Sequence, residues 1–466
     1  MENLQKKKGF RLPHVYIIML ILMVFVSILT YVVPAGTFER FQPPGAMMPV
    51  VKPGTYTSLP SSPVTPIQFL SSVYNGFVRA SSIIAVLLIA CGMIQVLQST
   101  GAFTAGIQRL VKRSKGKEIW VVVLFYTLSV ILGVLGWAEG QYPFYPIVLA
   151  LFLSLGYDRM VGTGVMLLAL AVGFTSGMMN PFSVGLSQQI AGLPLFSGIG
   201  YRFIGFLVFY FIALFFLLRY CIKIKKDPSK SIVAAEYQQQ RATTVEVGEE
   251  VPFTPKRMAA LILFIVTIFF VVLGSLKFHW QFPQICGIYI LLSAVLTVLF
   301  RIPLDTACNE FTKGMMNIIM PCMVIALAGG VTQLLETGHI LDTFVNAMGQ
   351  SLGGQSPLVT LLLIYIFVTI FNFFIASGSG KSVILMPILS PLGKILNINQ
   401  QVLVLAYQYG DGFTNTIWPA GTLVVLSMFG ISYGQWMKFC WKAYACLIVA
   451  GYVLIVIADK IKLGPF

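Results

Sequence analysis

Stretches 15–33, 258–276 and 440–457 are each long and apolar enough to cross a lipid bilayer. A chain with several such runs has few ways to fold. A hydrocarbon core of ~30 Å takes about 20 helical residues. Water is missing there, so the backbone must satisfy its own hydrogen bonds, in helices or closed barrels. The alternating pattern of barrel strands is lacking. Composition agrees, with 57% apolar and only 10% charged residues, where soluble proteins carry roughly a quarter charged. The expected fold is an all-α polytopic membrane protein.

Lys6, Lys7, Lys8 and Arg11 precede the first run, as they would in a secretory signal. The run is too long for a signal core, and Tyr31-Val-Val-Pro-Ala-Gly36 is a poor cleavage site, so a retained helix is expected. The net charge of +15 does not point to nucleic acid. Basic residues sit mostly in short loops beside apolar runs, where they report orientation, and no soluble basic face exists to bind a phosphate backbone. The seven cysteines are scattered without a Cys-x-x-Cys pair and suit small apolar positions. His14, His279 and His339 form no ligand cluster, so neither a structural metal nor an organic cofactor is expected.

The chain repeats itself. Gly92-Met-Ile-Gln-Val-Leu-Gln-Ser-Thr-Gly101 aligns with Gly329-Gly-Val-Thr-Gln-Leu-Leu-Glu-Thr-Gly338. The same offset carries Leu155-Gly156 onto Leu392-Gly393 and Gly173 onto Gly410. One residue more puts Ala138-Glu139-Gly140 on Ala376-Ser377-Gly378 and Pro181 on Pro419. Arg109, Lys112, Arg113, Lys115 and Lys117 follow the first copy's helix, whereas 339–356 contains no Lys or Arg. By the positive-inside rule these equivalent loops lie on opposite sides, so the two copies are inverted.

A topology follows. The N-terminus is cytoplasmic, 13–34 exits, and a polar extracytoplasmic stretch leads to a returning helix at 80–99. A hairpin (119–137 and 141–156) turns at Ala138-Glu139-Gly140. A helix at 160–196 breaks near Asn180-Pro181, and 203–222 returns. Residues 1–222 are thus the first repeat, and the polar 223–257 is a cytoplasmic linker. Residues 258–466 hold a connecting helix and the second repeat, with helices at 258–276, 282–300 and 311–336. A second hairpin (357–376 and 382–396) has its tip near 377–381, a helix at 398–432 breaks around 410–415, and 437–458 closes the chain. The total is about nine transmembrane helices plus two re-entrant hairpins. Lys460 and Lys462 fall on the outer side in this arrangement, against the charge rule.

Ionisable groups at membrane depth are costly and mark function by default. Glu139 at the first tip and Asp411 at the second helix break stand out, each flanked by glycine. Lys381 is the basic residue beside the second tip. Broken helices offer free N–H groups to an anionic substrate and free carbonyls to a cation or amine. Lys381 therefore binds a substrate carboxylate, or pairs with Glu139 or Asp411, or snorkels to the surface, since a buried charge needs a partner. Asn180, Asn415, Ser377 and Ser379 supply neutral hydrogen-bonding groups at the breaks and tip, for substrate contact or for local capping. Asp411 and Glu139 are also the candidates for ion coupling, by H⁺ or Na⁺. Ser377-Gly-Ser-Gly-Lys-Ser382 mimics the end of a phosphate loop, but the required upstream glycine is Ile375, so ATP-driven pumping is not expected.

Leu29-Thr-Tyr-Val-Val-Pro-Ala-Gly-Thr-Phe-Glu-Arg40, Pro143-Phe-Tyr-Pro146, Leu155-Gly-Tyr-Asp158, Asn180-Pro-Phe182, Ser377-Gly-Ser-Gly380, Met386-Pro387, Pro391-Leu392 and Gly410-Asp-Gly-Phe-Thr-Asn415 run in order through nearly the whole chain. Together they resemble the YfcC-like transporters, which belong with anaerobic dicarboxylate carriers and arginine–ornithine exchangers in the ion-transporter superfamily. The Gly-Asp-x-x-x-Asn stretch is also similar to aminobenzoyl-glutamate transporters. The resemblance implies secondary active transport, as symporter or exchanger, of amino acids or small carboxylates across the bacterial inner membrane. It also implies a homodimer with a scaffold and a transport domain, moving by an elevator mechanism. Beside Glu139 and Asp411, Lys381 favours a zwitterionic or anionic substrate. A channel is the alternative. An intramembrane enzyme is a further one, but no Ser/His, Asp/Asp or His/Glu pairing at span depth supports it.

Overall fold

The computed structural model describes residues 14–42, 50–234, 237, 251–278, 280–351, 355–375 and 377–464. The N-terminal lysines and the middle of the expected linker therefore lie outside the described residues. Helix α1 (Val15–Val32) is followed by α2 (Pro66–Ser99), α3 (Ala102–Arg113), α4 (Glu118–Val134), α5 (Tyr145–Ser154), α6 (Arg159–Ser176), α7 (Leu186–Ala191) and α8 (Ile199–Lys226). The second half holds α9 (Pro255–Lys277), α10 (Phe282–Phe300), α11 (Leu304–Met316), α12 (Ile319–Thr337) and α13 (Leu341–Ser351). It ends with α14 (Pro357–Phe371), α15 (Gly378–Ile395), α16 (Gln400–Gly412), α17 (Pro419–Phe429) and α18 (Tyr433–Lys460).

Among the described residues, seven helices are long and apolar enough to cross a membrane: α1, α2, α6, α8, α10, α12 and α18. The apolar α4 and α14 are shorter. The helix expected at 398–432 is two pieces, α16 and α17, separated by a 3-10 turn at Phe413–Thr416. That expected at 160–196 likewise ends at Gly177, in the left-handed conformation, and resumes through a π-helical turn at Pro181–Gly185.

Two sequence expectations need correction. The helix placed at 80–99 starts at Pro66. A capping box between Thr65 and Gln68 opens it, and in its first part Ser72 and Gly76 are buried against Ala326 and Gly330 of α12, while Ile67, Leu70 and Tyr74 on the other face are exposed. Small residues let backbones approach closely, so polarity here marks helix contact and not exposure. The helix placed at 311–336 is two, α11 and α12, parted at Asn317–Ile318; Pro321, which has no N–H to donate, falls in the first turn of α12. Between α1 and α2, two short antiparallel pairs, Gly36–Thr37 with Thr57–Ser58 and Arg40–Phe41 with Val50–Val51, fold the polar stretch back on itself.

Two groups of helices emerge from the packing. One is a frame in which α2 lies along α10, α11 and α12, and α1 lies on α12. The other gathers α4, α5, α14 and α15, the broken helices α6–α7 and α16–α17, and the long helices α8 and α18. Within it the halves interlock: α15 packs on α7, α5 on α17, and α6 on α16. The short-strand segment is fixed to the second half by Arg40, whose guanidinium reaches both carboxylate oxygens of Asp342 (2.9 and 3.0 Å), while the Phe38 amide donates to the same carboxylate (3.0 Å).

Asp158 has a comparable fixing role at the foot of α6. It is fully buried, and its Oδ1 caps the helix by accepting from the Val161 amide (3.0 Å). Its Oδ2 accepts from the Tyr220 hydroxyl of α8 and from Ser231 beyond it, both at 2.6 Å. Burial holds the Asp158 carboxyl above its ordinary range, outweighing the hydroxyls and amides that favour its charged form. Asp158→Ala removes a cap, worth about 1 kcal/mol, and orphans two buried hydroxyls, each worth about 1–3 kcal/mol. Thermal unfolding in detergent is therefore expected to shift strongly downward, and far less for Tyr220→Phe. A carboxyl raised on folding stabilises fully below its unfolded pKa and loses that contribution as pH rises through the folded one. The stability of wild type relative to Asp158→Asn is accordingly expected to decline from acid to neutral pH.

Candidate functional site

Lys381 lies in the first turn of α15, and Asp411 in the last turn of α16. Both positions oppose the helix dipole, which disfavours a cation at an N-terminus and an anion at a C-terminus. Both side chains are fully buried, and the Lys381 ammonium pairs with Asp411 Oδ1 and with Asn372 Oδ1. Among the described ion pairs only this one has both partners out of solvent. Of the sequence readings for Lys381, pairing with Asp411 is the one the fold displays.

Asn372, the residue capping the C-terminus of α14, ties the pair to the backbone. Its amide nitrogen donates to the Asp411 carbonyl and to Thr414 Oγ1, both at 2.8 Å. Thr414 in turn donates to the Gly410 carbonyl (3.0 Å). Sequence reasoning missed Asn372, although its signal was there: an amide in an otherwise apolar helix run is the kind of intramembrane polar group that marks a site.

Oxygen atoms in this region exceed donors. Asn415 donates to Asp411 Oδ1 (3.3 Å), yet its own Oδ1 has no partner. Asp411 Oδ2 has none either; it lies against Gly378, where an added Cβ would come within 3.2 Å of it. Gln408, one turn earlier on α16, gives its amide nitrogen to the Phe174 carbonyl (2.6 Å) and leaves Oε1 unpartnered. Positions 408, 411 and 415 recur at helical spacing on one face. Three buried acceptors without donors thus line the broken end of α16, beside a buried ammonium.

The remaining candidates are distributed around this centre. Ser377 accepts from the Gly380 amide (3.2 Å), the capping role weighed from the sequence, and Ser379 lies 3.4 Å from it on the accessible tip. Asn180 is fully buried and accepts from the Ser183 amide (3.3 Å), which caps the π turn. That turn packs on α15 and α16, and a hydroxyl chain links the halves there: Ser187 to Ser382 (3.1 Å), Ser382 to Tyr407 (3.1 Å), and Tyr407 to the Gly378 carbonyl (3.1 Å). Glu139 opens a 3-10 helix, Glu139–Phe144, at the first hairpin's tip; its side chain lies outside the described residues. Beside it Gln141 is buried, held by Ser129 (2.5 Å) and the Trp137 carbonyl (2.7 Å). The structure therefore brings Lys381, Asp411 and Asn415 together and sets Asn180 and the serines on adjoining elements.

A polytopic helical fold with interrupted helices meeting at a buried polar centre defines a membrane transporter. The chain belongs to the DcuC family, the C4-dicarboxylate anaerobic carriers, whose profile matches residues 12–460. An uncharacterized protein of Haemophilus influenzae is 28% identical over 98% of this chain and 99% of its own length. YfcC of Escherichia coli K12, named as a proposed basic amino acid antiporter, is also 28% identical, over 96% of each chain. Among solved structures, the YdaH transporter of Alcanivorax borkumensis aligns with a TM-score of 0.42 and 16% identity, over 97% of this chain and 99% of its own. MtrF of Neisseria gonorrhoeae, from a class of antimetabolite efflux pumps, aligns at 0.43 and 17%, over 98% and 97%.

Removing one member of a buried ion pair strands the other charge, at a cost of about 3–5 kcal/mol. Lys381→Met and Asp411→Asn are each expected to lower the unfolding temperature sharply. The double variant should melt above either single one, as read by thermal unfolding in detergent.

Proposed function

We propose that the protein is a secondary active transporter of the bacterial inner membrane, and that it carries a small solute bearing both a carboxylate and an amine. The observation that carries this reading is the composition of the centre: one buried ammonium, one buried carboxylate and three unpartnered acceptors. A zwitterion matches it part for part. Its carboxylate replaces Asp411 on Lys381, and its ammonium replaces Lys381 on Asp411 while donating to Asn415 and Gln408. The charge inside the membrane is then the same before and after binding, which avoids the cost of burying an unbalanced ion. A dicarboxylate brings a second anion against Asp411 and requires a proton there; Asp411 Oδ2, facing no donor, is the oxygen to receive it. The family's description favours a carboxylate substrate and the name of YfcC an amino acid; a zwitterion has both groups.

Alternating access on this reading comes from two inverted copies, 1–222 and 258–466, joined by 223–257. The hairpins α4/α5 and α14/α15 are re-entrant and move, elevator-like, with the broken helices against the frame of α1, α2 and α10–α12. The N-terminus is cytoplasmic, in keeping with Lys112 and Arg113 in the last turn of α3 and Lys223, Lys225 and Lys226 in that of α8. Two such chains share the frame as a dimer.

Uptake into proteoliposomes tests the proposal. Concentrative uptake of an amino acid is expected, driven by a pH or Na⁺ gradient or by exchange, with competition by other zwitterions. Lys381→Gln should weaken carboxylate-bearing substrates roughly tenfold or more, the worth of one charge-assisted hydrogen bond. Transport by Lys381→Gln with unchanged affinity and preference would overturn the assignment of the carboxylate to Lys381.

A further inference from the structure

Arg202 stands in the first turn of α8, behind Gly198, a left-handed cap (φ 69°) that contributes no side-chain hydrogen bond. Its side chain is only 1% exposed, yet none of its three guanidinium nitrogens has a hydrogen-bond partner among the described residues. A guanidinium carries five N–H donors and no acceptor, and it stays charged under all ordinary conditions. Such a group does not persist in an apolar interior unless an anion balances it.

A second unpartnered polar group lies close by, on another element. Tyr409 of α16 is fully buried, and its hydroxyl is likewise without a partner. The hydroxyl lies against α8 at Gly205, one turn from Arg202, where any Cβ would collide with it. The surroundings are aromatic: Phe209 meets Tyr409 edge-on at 5.0 Å and Phe413 at 4.8 Å. The positive end of α8 adds its own attraction for negative charge.

We infer that Arg202 and Tyr409 together bind a small monovalent anion, either chloride or the carboxylate of a small solute, at a site separate from the Lys381–Asp411 centre. Its donors come from two helices, and the anion joins them. Tyr409 precedes Asp411 by two residues, about 200° around α16, so it points away from the ion pair while sharing its helix. An occupied site therefore fixes the segment that carries Asp411, whatever solute is transported.

The test is thermal unfolding of the purified full chain in detergent at constant ionic strength. Sodium gluconate is exchanged stepwise for sodium chloride in one series and for sodium formate in another. The unfolding temperature of wild type is expected to rise with the small anion and to saturate, since a ligand that binds only the folded state stabilises it. Saturation by chloride and formate alike identifies a general small-anion site, and saturation by formate alone a carboxylate site. Tyr409→Phe should raise the half-saturating concentration roughly tenfold, and Arg202→Met should abolish the response. Identical unfolding temperatures for wild type in gluconate, chloride and formate would overturn the proposal. So would an undiminished response in Arg202→Met; if that variant does not fold, an unchanged half-saturation in Tyr409→Phe does the same.

Discussion

Two charges placed at the wrong ends of their helices organise this molecule. The ammonium of Lys381 opposes the dipole of α15, and the carboxylate of Asp411 opposes that of α16. Neither has water to turn to, so each depends on the other, and both depend on Asn372 at the end of α14. Three elements are therefore latched at one point, beside the unwound turn where α16 gives way to α17. A buried ion pair is a poor way to gain stability, because apolar side chains of similar size often do as well or better. On the proposed reading its value lies in being exchangeable: a solute with matching charges takes over both halves of the contact without changing the charge in the interior.

Legibility of the sequence varied with the kind of force involved. Long apolar runs announced the spans, because burial in lipid demands them. The breaks near Asn180-Pro181 and 410–415 were readable too, since proline and glycine alter the backbone through local chemistry. Where packing decides, the sequence spoke less clearly. The first part of α2 reads as a polar loop, and its serine and glycine reveal their role only against α12. Lys381 offered two partners with equal claim, and only the meeting of α15 and α16 selected Asp411. Asn372 was overlooked because it falls inside the expected helix 357–376, at neither a helix break nor a tip. Arg202 stands near a helix end, where a basic residue ordinarily reaches the interface; its burial is a property of the fold.

Helix α16 sits between two opposite imbalances. Along one face, Gln408, Asp411 and the following Asn415 present acceptors without donors. Behind, the Tyr409 hydroxyl and the Arg202 guanidinium of α8 offer N–H and O–H groups that no hydrogen bond uses. Polar groups in a protein interior are almost always satisfied, so two complementary shortfalls on one short helix set it apart from its neighbours. A rigid segment touched from both sides is also the simplest means by which one bound group can bias another.

The frame has a consequence for the membrane itself. Helix α2 runs 34 residues without interruption, a length of about 50 Å at the usual rise per residue, against a hydrocarbon core of ~30 Å. It keeps contact with its antiparallel neighbours over that whole length, from Ser72 and Gly76 on α12 to Cys91 and Gln95 on α11. Such a helix has to lean steeply or project beyond the lipid, and its partners follow it, with the break between α11 and α12 allowing them to bend. A helix longer than the hydrocarbon core is accommodated by tilt or by local changes in bilayer thickness. Lipid chain length is then a variable that acts on the frame rather than on the Lys381–Asp411 centre.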